Sequence, residues 1–275
     1  MNHRSWPPSY RLRVFAAAVL LLEAAVVALP LGGSVTPFFL VAIPAVAAVA
    51  VCWVSGGRPE VQALVRRLFV WRVKARWYFA ALGIPLAEKV IVDLTGTLWG
   101  LSTPDRLFGA LSTSALLIPV VVFVPALLEE LGWRGFGVQA AIDAGRSPAW
   151  AALVVGVIFM LLHVPLYRAG QMYEGFPVWP TPLILLSSSV LLTWIYLRTS
   201  SALLAGLMHA AFNASVPLTW GLDPIWVWQA RAITLTLVAG LVVAIARRNS
   251  RLPRVAAAAI GKPRTPDLRI PLGRI

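Results

Sequence analysis

Charged residues are scarce in this chain of 275 residues. Asp, Glu, Lys and Arg together make up 13% of it, whereas a typical soluble domain carries roughly 25%. Hydrophobic residues make up 59%, a share that excludes a disordered chain as well as an ordinary soluble domain. The only cysteine, Cys52, excludes an internal disulfide framework.

The chain contains several long hydrophobic stretches. The hydrocarbon core of a bilayer needs about 20 apolar residues in a helix, and unpaired backbone groups exclude open strands from lipid. We therefore predict an all-α, polytopic integral membrane protein with about eight transmembrane helices. The predicted spans are residues 12–32, 35–55, 77–98, 112–140, 148–167, 180–198, 201–220 and 225–246.

The distribution of basic residues predicts the orientation of these spans. With both termini in the cytoplasm, 19 of the 24 Lys and Arg residues fall in cytoplasmic segments, and only Arg106 and Arg168 in outer loops. Cytoplasmic loops of membrane proteins carry such an excess, so the net charge of +13 gives no reason to expect a nucleic-acid partner. We expect one transmembrane domain over residues 1–246, a basic cytoplasmic tail over 247–275 at anionic headgroups, and a multi-pass protein of the plasma (cell inner) membrane.

The first polar cluster inside a predicted span is a pair of adjacent glutamates. Ionisable residues at the bilayer centre cost at least about 2.5–3.5 kcal/mol, so each needs a reason. Glu130 and Arg134 are four residues apart and share a helix face, which predicts an ion pair. Glu129 points about 100° away from Glu130 and is left free to act as a base. This placement requires the helix to continue past Arg134 to about Ala140.

Two further clusters carry histidine. His163 lies on an apolar segment and, taken alone, would be a packing histidine. His209 and Asn213 share a helix face and, taken alone, would form a polar clasp between helices. Counting 1.5 Å per residue from the expected helix ends places all three at a depth comparable with that of Glu129, which predicts that they meet.

Such a group of side chains suits hydrolysis by an activated water. In one mechanism Glu129 and His163 deprotonate the water, and His209 with Asn213 donates to the oxyanion. In the other, Glu129, His163 and His209 could hold zinc with an open position. The metalloprotease motif HExxH and the serine-nucleophile motif GxSxG are both absent, and Cys52 has no polar partner nearby in sequence. We prefer water activation and leave the metal open.

These clusters resemble the three motifs of the CPBP family of membrane proteases. This family, also called Abi, comprises the CAAX proteases and bacteriocin-processing enzymes and includes the type II CAAX prenyl protease. The resemblance covers residues 110–220 and rests on EExxxR (Glu129, Glu130, Arg134), FxxxH (Phe159, His163) and HxxxN (His209, Asn213).

The resemblance implies an intramembrane endopeptidase whose site opens towards the cytoplasm and whose substrate is a membrane-associated peptide or protein. It implies that Glu129 is the water-activating base, with His163 as its partner. His209 and Asn213 would form the oxyanion hole or hold the water. The neighbouring glutamate–arginine pair would have a supporting, structural part.

The remaining buried charges support two alternative hypotheses. Lys89 and Asp93 are four residues apart and are expected to pair, and Arg231 is expected near the outer end of the last span, where it can snorkel. A small-solute transporter would use Glu23, Glu88, Asp93 and the histidines as a proton relay, although we find no internal repeat in the sequence. A non-catalytic scaffold or bacteriocin-immunity factor of the same fold is the other alternative.

Overall fold

The computed structural model describes residues 6–29, 36–101, 113–216 and 222–248, and all regular structure in these ranges is helical. The helices are α1 (Pro8–Val27), α2 (Thr36–Leu40), α3 (Ile43–Gly56), α4 (Arg58–Arg66) with a 3₁₀ turn (Arg67–Phe69), α5 (Ala75–Leu98), α6 (Thr113–Glu130), a π-helix (Leu131–Val138), α7 (Gln139–Asp143), α8 (Pro148–Leu161) with a 3₁₀ turn (Val164–Tyr167), α9 (Pro180–Thr199), α10 (Ala202–Ser215) and α11 (Pro224–Arg248).

Three helical segments in the described part are long and apolar enough to cross a membrane: Pro148–Tyr167, Pro180–Thr199 and Pro224–Ala246. Each of the eight predicted hydrophobic stretches overlaps at least one helix. The all-helical class is therefore confirmed, and the apolar helices indicate a membrane protein. The number of eight spans and the cytoplasmic placement of both termini stay predictions. The predicted tail lies outside the described residues beyond the end of α11.

Serine residues cap the N-termini of two helices: α8, which ends just before His163, and α10, which carries His209. The Ser147 hydroxyl accepts a hydrogen bond from the backbone N–H of Trp150 at 3.2 Å, and the Ser201 hydroxyl accepts one from that of Leu204 at 3.1 Å. Each cap satisfies one of the N–H groups that lack a helical acceptor in the first turn. These helices begin at Pro148 and Ala202, within one residue of the starts of the predicted spans 148–167 and 201–220.

Helix α10 lies at the centre of the described fold, where it packs against α5, α6 and α9. Glycine makes its contact with α6 close, because a Cβ on Gly206 would lie 2.6 Å from the side chain of Leu127. Gly132 lies against the backbone of Pro44 on α3 in the same way. Small residues at these positions bring α3, α6 and α10 together, and with them the polar motifs.

The chain continues as a helix beyond the two glutamates to Asp143, which confirms the predicted continuation past Arg134 to about Ala140. The π-helix between α6 and α7 was not predicted. It is buried along its whole length, and the Arg67 guanidinium donates a hydrogen bond to the Gly135 carbonyl within it. π-helical turns occur often at functional sites, and this one follows directly after Glu130.

Candidate active site

One cavity of about 530 Å³ contains all four predicted catalytic side chains in its wall: Glu129, His163, His209 and Asn213. Its other walls are mostly apolar and come from α2, α6, α8, α9, α10 and α11. The side chains come from three separate parts of the chain, as the depth argument predicts. Their catalytic roles stay a proposal.

The two adjacent glutamates have different surroundings. Glu130 and Arg134 are both fully buried, and Nη1 of Arg134 donates to Oε1 of Glu130 at 2.8 Å. The predicted ion pair is therefore confirmed. Nδ1 of His209 also lies 2.9 Å from the same oxygen, a contact that the sequence did not predict. Glu129 is 8% exposed and lines the cavity.

His163 lies just beyond the C-terminal end of α8, in the turn before the 3₁₀ segment, and so not inside a continuous helix. Its Nδ1 is 2.9 Å from the carbonyl oxygen of Phe159. A carbonyl oxygen can only accept a hydrogen bond, so Nδ1 carries the hydrogen and the neutral ring keeps a lone pair on Nε2. The Phe159 ring lies edge-on to both imidazoles, 4.7 Å from that of His163 and 5.9 Å from that of His209 between centroids.

His209 is oriented by a carboxylate rather than by a carbonyl. Its Nδ1–H is donated to Glu130, which leaves Nε2 as the ring nitrogen without that bond. A hydrogen bond of this kind at one nitrogen fixes the tautomer and the direction of the ring. Asn213, one helical turn further along α10, is exposed among mostly buried neighbours and lines the same cavity.

The described residues contain no group of three His, Cys, Asp or Glu side chains placed to hold a metal ion. As they stand, Glu129, His163 and His209 therefore do not present the three-ligand set of a His₂Glu zinc site. Zinc binding by these residues stays a prediction for chelation experiments, and no step below uses a metal.

Tyr173 is a cavity residue that the sequence did not single out. It lies in the loop before α9, and its ring is nearly parallel to the His163 imidazole, 6.2 Å away with an angle of 14° between the planes. The Tyr173 ring also lies near that of Trp228 of α11, with centroids 5.2 Å apart. Burial raises the pKa of Tyr173, so the phenol stays neutral. A lone tyrosine in a predicted outer loop gives no sequence signal for such a position.

Arg231 also lines the cavity, contrary to expectation. The sequence suggested a snorkelling arginine near the end of the last span, but the residue is only 5% exposed. It reaches α10 and α5 instead of the membrane surface. The predicted pairing of Lys89 with Asp93 on α5 is confirmed.

A family model described as type II CAAX prenyl endopeptidase Rce1-like matches residues 111–215. Over this segment, which is less than half of the chain, the protein is similar to the CAAX-protease family. The matched segment runs from the start of α6 to the end of α10 and therefore contains all three motifs. No curated protein matches the chain.

The description of the matching model is that of a peptidase. The matched segment supplies Glu129, His163, His209 and Asn213 to the cavity. Arg231 and Trp228, which complete the wall from α11, lie outside it.

Proposed function

We propose that the protein is a multi-pass intramembrane endopeptidase that hydrolyses a peptide bond of a membrane-associated peptide or protein. The supporting observation is that Glu129, His163, His209 and Asn213 line one otherwise mostly apolar cavity. Polar and ionisable side chains inside apolar helices are costly in a membrane, and water-activated hydrolysis gives these four a use.

The first step is deprotonation of a water molecule. Glu129 is suited to be the base because Glu130 already accepts hydrogen bonds from Arg134 and His209. The lone pair on Nε2 of His163 accepts the second hydrogen of the water and orients it. As the water oxygen attacks the carbonyl carbon, one proton passes to Glu129 and the carbonyl π electrons move onto oxygen.

His209 and Asn213 then stabilise the oxyanion. A doubly protonated His209 donates from Nε2, and the Glu130 carboxylate on its Nδ1 side stabilises that charged form. The Asn213 amide supplies a second donor. Donors fixed in advance towards the developing charge are often the largest single contribution to catalysis.

Collapse of the tetrahedral intermediate completes the reaction. The carbonyl re-forms, the carbon–nitrogen bond breaks, and the proton held by Glu129 passes to the leaving nitrogen. The products are a new carboxyl group and a new amine, and Glu129 returns to its starting state.

The cavity walls favour a substrate with an apolar group near the scissile bond, since apolar surface is buried favourably against apolar side chains. The matching family model carries the description of a prenyl endopeptidase. The first substrates to test are therefore a membrane-tethered peptide with a prenylated cysteine and the same peptide without the prenyl group.

The proposal is tested by cleavage of both peptides by the purified protein in liposomes. We expect Glu129→Gln and His163→Ala each to lower kcat at least about 100-fold, the usual contribution of a general base. Glu23→Gln is a matched control, since Glu23 is a similarly buried carboxyl on α1 (7% exposed), and it should leave kcat unchanged. Cleavage that survives both changes at the site would refute the proposal. Loss of wild-type activity in a chelator, restored by zinc, would instead favour the metal mechanism.

A further inference from the structure

Arg231 is a buried cation in the 25-residue apolar helix α11, and it is only 5% exposed. A guanidinium removed from water needs compensating hydrogen bonds and an opposite charge nearby. Its neighbours therefore indicate why the helix tolerates it.

Those neighbours lie on two other helices. Nη1 of Arg231 donates to the Ser215 hydroxyl at 2.7 Å and to the Phe212 carbonyl at 3.3 Å, and Nη2 donates to the same carbonyl at 3.3 Å. The Nε atom lies 3.5 Å from Oε1 of Glu88 on α5. The guanidinium thus joins α5, α10 and α11 at one point.

Both acceptors on α10 belong to its last turn, because the helix ends at Ser215. The last four carbonyl groups of a helix lack helical donors, and a cation at that end also interacts favourably with the helix dipole. Arg231 therefore fixes the end of α10. Asn213 lies between Phe212 and Ser215, the two residues that Arg231 contacts. His209 lies one helical turn before Asn213.

We propose that Arg231, with Glu88 as its counter-ion, is a positioning residue that holds Asn213 in its place relative to the reacting carbonyl. The inference rests on the proposed function for the role of Asn213. Neither Arg231 nor Glu88 lies in the segment that matches the family model. The nearby Lys89 and Asp93 pair with each other.

The first test measures the end of α10 directly, without activity. Hydrogen–deuterium exchange is followed for the last turn of α10 in the full-length protein in detergent. Arg231→Met should speed exchange there at least about tenfold, since it removes the contacts that oppose local opening. Thr236→Val is the matched control: Thr236 is also on α11, but its hydroxyl bonds with Ser187 of α9 at 3.2 Å. It should leave exchange in α10 unchanged.

The second test is a double-mutant cycle on kcat. Asn213→Ala should lower kcat about 100-fold as a lost oxyanion donor, and Arg231→Met by a similar factor through misplacement of that donor. In the double variant, Arg231→Met should lower kcat by less than about threefold beyond the effect of Asn213→Ala alone, because both changes remove the same function. Full multiplication of the two effects would overturn the inference, as would an Arg231→Met variant with normal exchange in α10.

The two tests separate this inference from the proposed function. If the wild-type protein cleaves no peptide but Arg231→Met still speeds exchange in α10, the proteolytic function is refuted. The anchoring of α10 by Arg231 is then still supported. If Arg231→Met does not fold, Ser215→Ala replaces it in both tests, because it removes only the 2.7 Å acceptor. A smaller change in the same direction supports the inference, and unchanged exchange overturns it.

Discussion

Glu129 and Glu130 are adjacent, and their neighbours separate their roles. Helical spacing predicts the pairing of Glu130 with Arg134 and therefore the freedom of Glu129. It does not predict the contact between Glu130 and His209, which joins residues 79 positions apart in the chain. That contact depends on how closely α6 and α10 approach, and side-chain spacing within one helix carries no information about this.

Removing the charge of Glu130 should destabilise the protein. Glu130→Gln would leave the buried Arg134 without its counter-ion, and breaking such a pair costs about 3–5 kcal/mol. We expect a clear fall in Tm in detergent. Glu60→Gln is the control, because Glu60 pairs with Arg11 at 2.9 Å in a partly exposed site, where the loss should be about 0–1 kcal/mol. Equal Tm values for the two variants would contradict the buried ion pair.

The ring of Tyr173, rather than its hydroxyl, should matter for His163. The two rings are nearly parallel, so Tyr173→Phe should keep the imidazole in place and keep most of the activity. Tyr173→Ala removes this packing and should lower kcat about tenfold or more through misplacement of His163. Steady-state kinetics on the two variants distinguish these outcomes. An active alanine variant would show that the ring does not hold the histidine.

Among the helices, the predictable features are local and the others are set by packing. Ser147 and Ser201 are cap residues that a sequence reveals directly. The π-helix after Glu130 cannot be predicted from the local sequence, because its wider turn occurs where the segment contacts other elements of the fold. Arg67 donates to its Gly135 carbonyl, and Gly132 lies against α3.

The close contact between α6 and α10 gives a prediction with a matched control. Gly206→Ala places a methyl group 2.6 Å from Leu127 and should cost about 1–3 kcal/mol of stability by overpacking. Gly240→Ala on α11 has no atom within 4 Å of the added carbon and should be neutral or slightly stabilising, as alanine favours helices. Thermal unfolding of both variants in detergent tests this. A Gly206→Ala protein as stable as Gly240→Ala would mean that the helices lie further apart.

For the whole molecule, composition was enough to predict the all-helical class and the membrane setting. The ordered motifs were enough to predict which four side chains meet at one cavity. Tyr173 and Arg231 could not be predicted, because each reaches the cavity through the folding of a loop or helix outside the motifs. Orientation in the membrane depends on charge bias alone, so it needs a separate test.

The predicted sidedness can be tested with single cysteines. The native Cys52 is buried, so Cys52→Ala provides a background for Arg168→Cys and Lys262→Cys. In intact cells a membrane-impermeant maleimide should label the first position, in a predicted outer loop, and not the second, in the predicted cytoplasmic tail. After membrane disruption both should react. Labelling of Lys262→Cys in intact cells would contradict a cytoplasmic C-terminus.

Direct attack by water is tested by following one turnover in water enriched in heavy oxygen. Mass spectrometry is applied to both the peptide products and the intact enzyme during the reaction. We expect one heavy oxygen atom in the new carboxyl group, an enzyme of unchanged mass at every time point, and no product from Glu129→Gln. An acyl-enzyme adduct, or normal product formation by Glu129→Gln, would contradict water activation by Glu129.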